Sequence, residues 1–266
     1  MYAFEYKRAA SVEDAMEKHA EGDDARFLAG GMTLLPVLKL RLDQPGQLVD
    51  LGYVETLRGI SDDSGEIVIG AMTAHAVVAG DQMVRRRISA LANLAGGIGD
   101  PLVRNRGTIG GSLANNDPSA DYPAAVLGLG ATIVTDRREI GADEFITGMF
   151  ETALDDSEMI QRVRFPIPAR AGYGRFANPA SRFPLAGVFV AQSAAGVRVG
   201  VTGAGPRAFR VTAMEDALAE DFSEDAIRDI RVSEDGFLSD IHATPEYRAH
   251  LVNVLARRAV KSALDG

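Results

Sequence analysis

Arg26-Phe27-Leu28-Ala29-Gly30-Gly31-Met32-Thr33-Leu34-Leu35-Pro36 is the stretch on which the fold turns. Arg26 to Ala29 reads as a short strand that stops at a glycine pair. Thr33 can cap a helix running through Leu34, Leu35, Val37, Leu38 and Leu40, and Pro36 falls in its first turn, where a missing N–H costs little. A glycine turn that leads from the carboxyl end of a strand into a helix is the centre of a βαβ arrangement. The flanks complete it. Upstream, a strand precedes Ser11, which can cap a helix with Asp14 three residues on in capping-box spacing. Val12, Ala15, Met16 and His19 share one face of that helix, and Gly22 stops it. Downstream, Leu48-Val49-Asp50-Leu51 is a further strand.

Beyond this unit the layout changes. Glu66 to Ile69 reads as a strand, Thr73 opens a short helix towards Val78, and Ile88 to Ala95 is a helix ended by Gly96-Gly97. Gly99 to Asp121 reads as a long irregular loop, and such a loop inside a compact domain is usually functional. A helix over Ala124 to Leu129 and strands at Thr132–Val134 and Ile160–Phe165 follow. From Gly172, three consecutive strands are expected: Tyr173 to Ala177, Ala186 to Ser193 and Val197 to Thr202, an antiparallel meander turning at Gly196. Helices are expected around 213–219 and 223–230. A long one closes the chain, capped at Thr244, with Leu251, Val254, Leu255 and Ala259 on one face. The boundary between the two halves falls near Pro166–Gly172.

Composition narrows the function. The 266 residues make one large domain or two small ones. A hydrophobic share of 46% is that of a globular chain rather than a disordered one. Lys plus Arg is 28 against 37 Asp plus Glu, a net charge of −9, which argues against wrapping nucleic acid or an anionic membrane. The chain has no cysteine, so disulfides, thiolate catalysis and Cys-held zinc or iron–sulfur clusters are excluded. No apolar run reaches the roughly 20 residues of a bilayer span. No signal peptide is read at Met1–Glu5, and a cytoplasmic location is expected.

Several motifs dissolve on inspection. Gly203-Ala204-Gly205-Pro206-Arg207-Ala208 fits G-x-G-x-x-A after a strand, but a dinucleotide site needs a helix opening at once, and Phe209-Arg210-Val211-Thr212 reads as strand. Asn115, Asp117, Ser119 and Asp121 alternate as in a calcium loop, but Ala120 and Val126 stand where that loop needs Gly and Glu. His19, His75, His242 and His250 are scattered and read as surface or helix-face residues. No metal site and no acid–base or nucleophile constellation emerges. What remains is a second glycine pair, Thr108-Ile109-Gly110-Gly111-Ser112, with the same chemistry as Ala29-Gly30-Gly31-Met32-Thr33: two glycines beside a hydroxyl. One such cluster reads as an ordinary turn. Two in one domain could cup a diphosphate from both sides through exposed N–H groups. Asp121 follows at a distance suited to a ribose hydroxyl, or serves as a cap for the Pro123 helix.

These residues resemble a known family. Ala29 to Pro36 is similar to the first flavin-binding segment of the medium subunits of molybdenum hydroxylases, and Arg106 to Asn115, continuing through Asp117-Pro118 to Asp121, to the second. Asp50-Leu51, Asn178-Pro179-Ala180-Ser181-Arg182-Phe183, Thr202 to Arg207 and Asp240-Ile241-His242 match in the family's order along nearly the whole chain. Within this family, which includes the xanthine dehydrogenase FAD subunits, the flavoprotein subunits of aerobic carbon monoxide dehydrogenase and its relatives are the most similar in these segments. The resemblance implies an α+β chain. Residues 1–168 would be an FAD-binding domain of the vanillyl-alcohol-oxidase (PCMH) type, with subdomains of about 1–54 and 55–168. Residues 169–266 would carry a three-stranded antiparallel sheet with helices. It further implies that Ala29, Gly30, Gly31, Met32 and Thr33, with Thr108, Ile109, Gly110, Gly111 and Ser112, hold the FAD diphosphate. Asp121 would meet the sugar side, Ile160 the adenine side, and Phe183 would lie near the isoalloxazine. Met32 stands where related chains often carry His or another polar residue, and Arg175 where a lysine often precedes the aromatic.

Carried to function, the resemblance implies an electron-transfer subunit with no catalytic residue for substrate. A large molybdopterin subunit oxidises substrate, a small iron–sulfur subunit relays electrons, and FAD passes them to a quinone, oxygen or another external acceptor. The assembly would be a dimer of heterotrimers in the cytoplasm or at the inner face of the membrane, not integral to it. Two other readings compete: a self-sufficient FAD oxidoreductase, disfavoured by the small second domain, and a non-catalytic scaffold that has lost flavin, disfavoured by two intact glycine clusters.

Overall fold

The computed structural model describes residues 1–266. Strands Glu5–Arg8, Gln47–Asp50 and Ala25–Leu28 lie parallel in that order, so the first sheet is the βαβ unit read from the glycine turn. The connecting helix Val12–Glu21 starts where expected: Asp14 N–H donates to Ser11 Oγ at 3.1 Å, and Ala10 N–H donates to Asp14 Oδ2 at 2.7 Å. The helix Leu34–Lys39 follows the glycine turn, but Thr33 makes no side-chain cap bond to it.

A second, five-stranded sheet runs Ile60–Asp63, Glu66–Gly70, Ile160–Pro166, Thr132–Thr135, Glu139–Gly141. Its central strand pairs antiparallel on both sides. Alternate residues Val163 and Phe165, with Ile67, Ile69 and Ile133, face inward, and helices Ser89–Gly97 and Tyr122–Leu129 seal a core of 31 buried residues. Gly96-Gly97 forms the last turn of its helix rather than a stop after it.

The expected loop from Gly99 to Asp121 is instead mostly helical. Asp100 Oδ1 accepts from Val103 N–H at 3.0 Å and starts Pro101–Arg106. Thr108 Oγ1 accepts from Gly111 N–H at 3.2 Å and starts Ile109–Asn115. Two short capped helices with a glycine between them look irregular in sequence because neither is long enough to show a period.

The third sheet is antiparallel, Arg170–Ala177, Pro184–Ser193, Gly196–Thr202, with a two-residue edge strand Phe209–Arg210 added to the three long ones. Its middle strand is buried on both faces. Phe189 and Ala191 join the core beside Tyr122–Leu129, whereas Val188 and Val190 pack under the closing helix Pro245–Asp265 in a core of 19 residues. The helix expected at 223–230 is a set of turns. No helix is long and apolar enough to cross a membrane.

Candidate functional site

The two glycine clusters meet. A Cβ built on Gly30 would strike the carbonyl oxygen of Arg106, and one on Gly111 would lie 3.4 Å from Ala29 Cβ. Between them opens a cavity of about 500 Å³. Its first wall comes from the turn after strand Ala25–Leu28: Ala29, Gly30, Gly31, Met32 and Thr33. Its second comes from the start of helix Ile109–Asn115: Thr108, Gly110, Gly111 and Ser112. Asp121, Ile160 and Phe183 line it as well, Phe183 from the turn between the first two strands of the third sheet. Ile109 does not. Its side chain is fully buried in the central core, and its N–H donates to Thr73 O at 3.2 Å.

The clusters are chemically unequal, contrary to the symmetric cradle expected. In the second, four of the five amides are already used: Ile109 to Thr73 O, Gly110 to Ala71 O at 2.9 Å, Gly111 to Thr108 Oγ1, and Ser112 to Thr108 O at 3.0 Å. That segment offers shape and hydroxyls. In the first, the N–H groups of Gly30, Gly31, Met32, Thr33 and Leu34 have no acceptor within the chain. Gly31 sits at φ +71°, the left-handed conformation that lets successive amides converge, and a side chain there is strained. Five consecutive unpartnered amides in a cavity wall, with the Thr108 and Ser112 hydroxyls opposite, suit a diphosphate-bearing cofactor such as FAD. Met32 is about one-third exposed and brings only a thioether to the same wall.

Asp121 lines the cavity and is not the helix cap weighed for it. It stands at the N-terminus of helix Tyr122–Leu129 but makes no side-chain cap bond. Its Oδ1 accepts from the Tyr173 hydroxyl at 2.7 Å and lies 3.3 Å from Arg175 Nε. Burial pushes its carboxyl up to about 6, against the pull of the Arg175 charge and the Tyr173 hydrogen bond. Tyr173 escapes sequence reading because it is 52 positions from Asp121.

His75 also belongs to the cavity wall, at 4% exposure. Burial, then the Arg104 charge, lowers it to about 4, so the imidazole is neutral. Its Nδ1 and the hydroxyl of the neighbouring Tyr122 are both buried without a partner, the rings 5.4 Å apart. A signal existed: Gly70, Thr73 and His75 follow a strand end as Gly31 and Thr33 do. Glu158, also in the wall, accepts hydrogen bonds from Arg138 and the Thr135 hydroxyl; hydrogen bonding from Arg138 leads in holding it down to about 2 despite burial.

His75 and Asp121 oppose each other in acid. His75 lies below its ordinary 6.5, so the unfolded chain binds the proton first, and its stabilisation, full above 6.5, is lost as pH falls towards 4. Asp121 lies above its ordinary 3.8, so the folded chain binds the proton first, and stability is gained as pH falls from about 6 towards 4. Each amounts to about 3 kcal/mol at ~1.4 kcal/mol per pK unit. Between pH 6.5 and 4.5, the melting temperature of His75→Gln should therefore rise and that of Asp121→Asn should fall. Parallel slopes for the two variants would contradict this pairing.

The family described as "FAD binding domain in molybdopterin dehydrogenase" matches residues 2–168. The nicotine 6-hydroxylase medium subunit of Paenarthrobacter nicotinovorans is 35% identical over 98% of this chain and 97% of its own. The solved carbon monoxide dehydrogenase of Hydrogenophaga pseudoflava superposes with a TM-score of 0.89 at 33% identity, covering 99% of this chain and 98% of the other. Quinoline 2-oxidoreductase from Pseudomonas putida 86 does so with 0.89 at 30%, covering 99% and 98%. With the glycine-lined cavity, these matches place the chain in the family of FAD-binding medium subunits of molybdenum hydroxylases, as an oxidoreductase subunit whose cofactor is FAD.

Proposed function

We propose that this chain holds FAD as the electron-passing subunit of a molybdenum hydroxylase of the carbon monoxide dehydrogenase-like kind, with residues 1–168 as the FAD-binding domain. The run of unpartnered amides from Gly30 to Leu34 in the cavity wall carries the reading. In it, those amides and the hydroxyls of Thr33, Thr108 and Ser112 hold the diphosphate. Gly30, Gly31, Gly110 and Gly111 let the backbone approach closely. Ile160 lies on the adenine side and Asp121 on the sugar side, neutral His75 offers a hydrogen bond, and Phe183, half exposed at the rim, stands by the isoalloxazine. Bound FAD supplies the capacity to accept electrons singly and pass them on. The chain's own residues orient the ring, exclude water from its buried side and leave an edge open to the donor.

The donor is a small iron–sulfur subunit, because this sequence has no cysteine with which to hold a cluster. A large molybdopterin subunit oxidises the substrate, in an assembly of two copies of each subunit with an external electron acceptor, and a cytoplasmic location goes with this reading. Chains related at 30–35% identity belong to proteins named for nicotine, carbon monoxide and quinoline, which supports placing substrate choice on another subunit.

Dye reduction by the purified chain tests the proposal. Loaded with FAD, it should be bleached by a chemical reductant yet show no dye reduction with carbon monoxide, purines or aldehydes. Substrate-dependent turnover should emerge only with the other two subunits. Turnover by a preparation free of molybdenum and iron would overturn the electron-passing assignment in favour of a self-sufficient flavoenzyme.

A further inference from the structure

Phe183 reaches the cavity from an exposed turn that is braced from outside by one side chain. Asn178 N–H donates to Phe183 O at 2.8 Å and Arg182 N–H to Asn178 O at 2.8 Å, which closes Asn178–Phe183 on itself. Asn178 Oδ1 takes the N–H groups of Ala180 and Ser181, and Arg182 is held at φ +64°. These bonds lie within the turn, whose two ends are held by the pairing of Ala177 with Pro184. Arg175, on the strand below, ties the far side of the turn outward. Its Nη2 donates to Arg182 O, its Nη1 donates to Gly97 O at the end of helix Ser89–Gly97, and its Nε lies 3.3 Å from Asp121 Oδ1. The guanidinium lies against the Gly97 backbone so closely that a Cβ there would sit 2.7 Å from Nη1.

We propose that Arg175 is the positioning residue that sets where Phe183 stands over the cavity, by tying its turn to Gly97 and Asp121 at once. The proposal rests on the reading of that cavity as the flavin site. A planar fork is needed because the two carbonyls and the Asp121 carboxylate lie in different directions. A lysine at this position answers the Asp121 charge but reaches only one of the two carbonyls, so it separates charge compensation from positioning.

The test compares wild type, Arg175→Lys, Gly97→Ala and Phe183→Ala. Gly97→Ala displaces the guanidinium without altering it, so the proposal stands on a second variant should Arg175→Lys fold poorly. In the FAD-free chain, tryptic cleavage after Arg182 should speed up about tenfold in both Arg175→Lys and Gly97→Ala, the equivalent of losing one hydrogen bond to a charged group, while the melting temperature holds. In the FAD-loaded chain, the visible circular dichroism of the flavin should shift in both towards that of Phe183→Ala, with stoichiometric flavin retained. Unchanged cleavage at Arg182, or a fall in melting temperature with cleavage raised throughout the chain, would overturn the positioning role. Flavin dichroism that Phe183→Ala leaves unchanged would instead undo the placing of Phe183 by the flavin, and the cleavage result would still decide how the turn is held.

Discussion

Gly30→Val is expected to give a folded chain that binds FAD about a hundredfold more weakly. The Cβ of residue 30 would strike Arg106 O and lie 2.8 Å from both Arg106 C and Gly107 Cα. These are backbone atoms of the segment that leads into the second cluster, so nothing can swing aside, and the glycine turn must back away from its partner wall. Overpacking of this kind costs up to ~3 kcal/mol, which is about two decades in affinity when the strain is relieved only by opening the site. The neighbouring Gly31 makes a useful contrast. Its Cβ would meet Leu35 Cδ1 at 2.9 Å and Leu28 Cδ1 at 3.3 Å, the ends of flexible side chains, so Gly31→Ala suffers mainly from its φ of +71° at about 1 kcal/mol. Gly111→Val points at Thr108 Oγ1 and Ala29 and should fall between the two. Gly141→Ala, with nothing within 4 Å of its Cβ, is the control and should bind as wild type. Titration of FAD into each variant, with circular dichroism to confirm folding, gives the order. Stoichiometric tight binding by Gly30→Val would mean that the two clusters do not form one cradle.

The sequence reached the cavity because its clues were local. The glycine pair after Arg26–Ala29, the Ser11 cap and the period of Val12 to His19 each sit within one turn or one strand, and the parallel sheet follows from them. The shared chemistry of the two clusters, two glycines beside a hydroxyl, pointed to one diphosphate site, and the family resemblance agreed with it. What escaped the sequence depends on partners far along the chain. Asp121 takes Tyr173 and Arg175 instead of its own helix, and no spacing rule reports a bond across 52 residues. The amides of Ile109 and Gly110 looked free because their acceptors, Thr73 and Ala71, follow another strand end. The segment from Ser223 to Ile230 has a helical pattern and a Ser223 Oγ that accepts from Ala226 N–H, yet the Asn253 amide from the closing helix donates to the carbonyls of Ile227 and Ile230 and the segment stays a set of turns.

The glycine string that looks like a nucleotide motif has a structural task, and the largest loss of stability should come from the residue that holds it. Arg248, 1% exposed on helix Pro245–Asp265, donates Nη1 to both Leu185 O and Gly203 O at 2.7 Å and Nη2 to Asp240 Oδ2 at 2.6 Å. Gly203 N–H in turn donates to Pro118 O at 2.8 Å, and the Thr202 hydroxyl lies 2.6 Å from Ala120 O, so the turn braces the segment leading to Asp121. Arg248→Met keeps the bulk but strands two buried carbonyls, at a cost of about 3–5 kcal/mol. For a chain of this size that lowers the melting temperature by about 10 °C. The ion pair itself is not the reason. The Asp240 side chain is 44% exposed, so Asp240→Asn should cost only about 0–1 kcal/mol. Arg248→Lys retains the charge but cannot serve three acceptors and should melt near Arg248→Met. Thermal melts of the three variants therefore separate the two sources of stability. If Asp240→Asn fell as far as Arg248→Met, the charge pair, and not the two carbonyls at Leu185 and Gly203, would be what holds the turn.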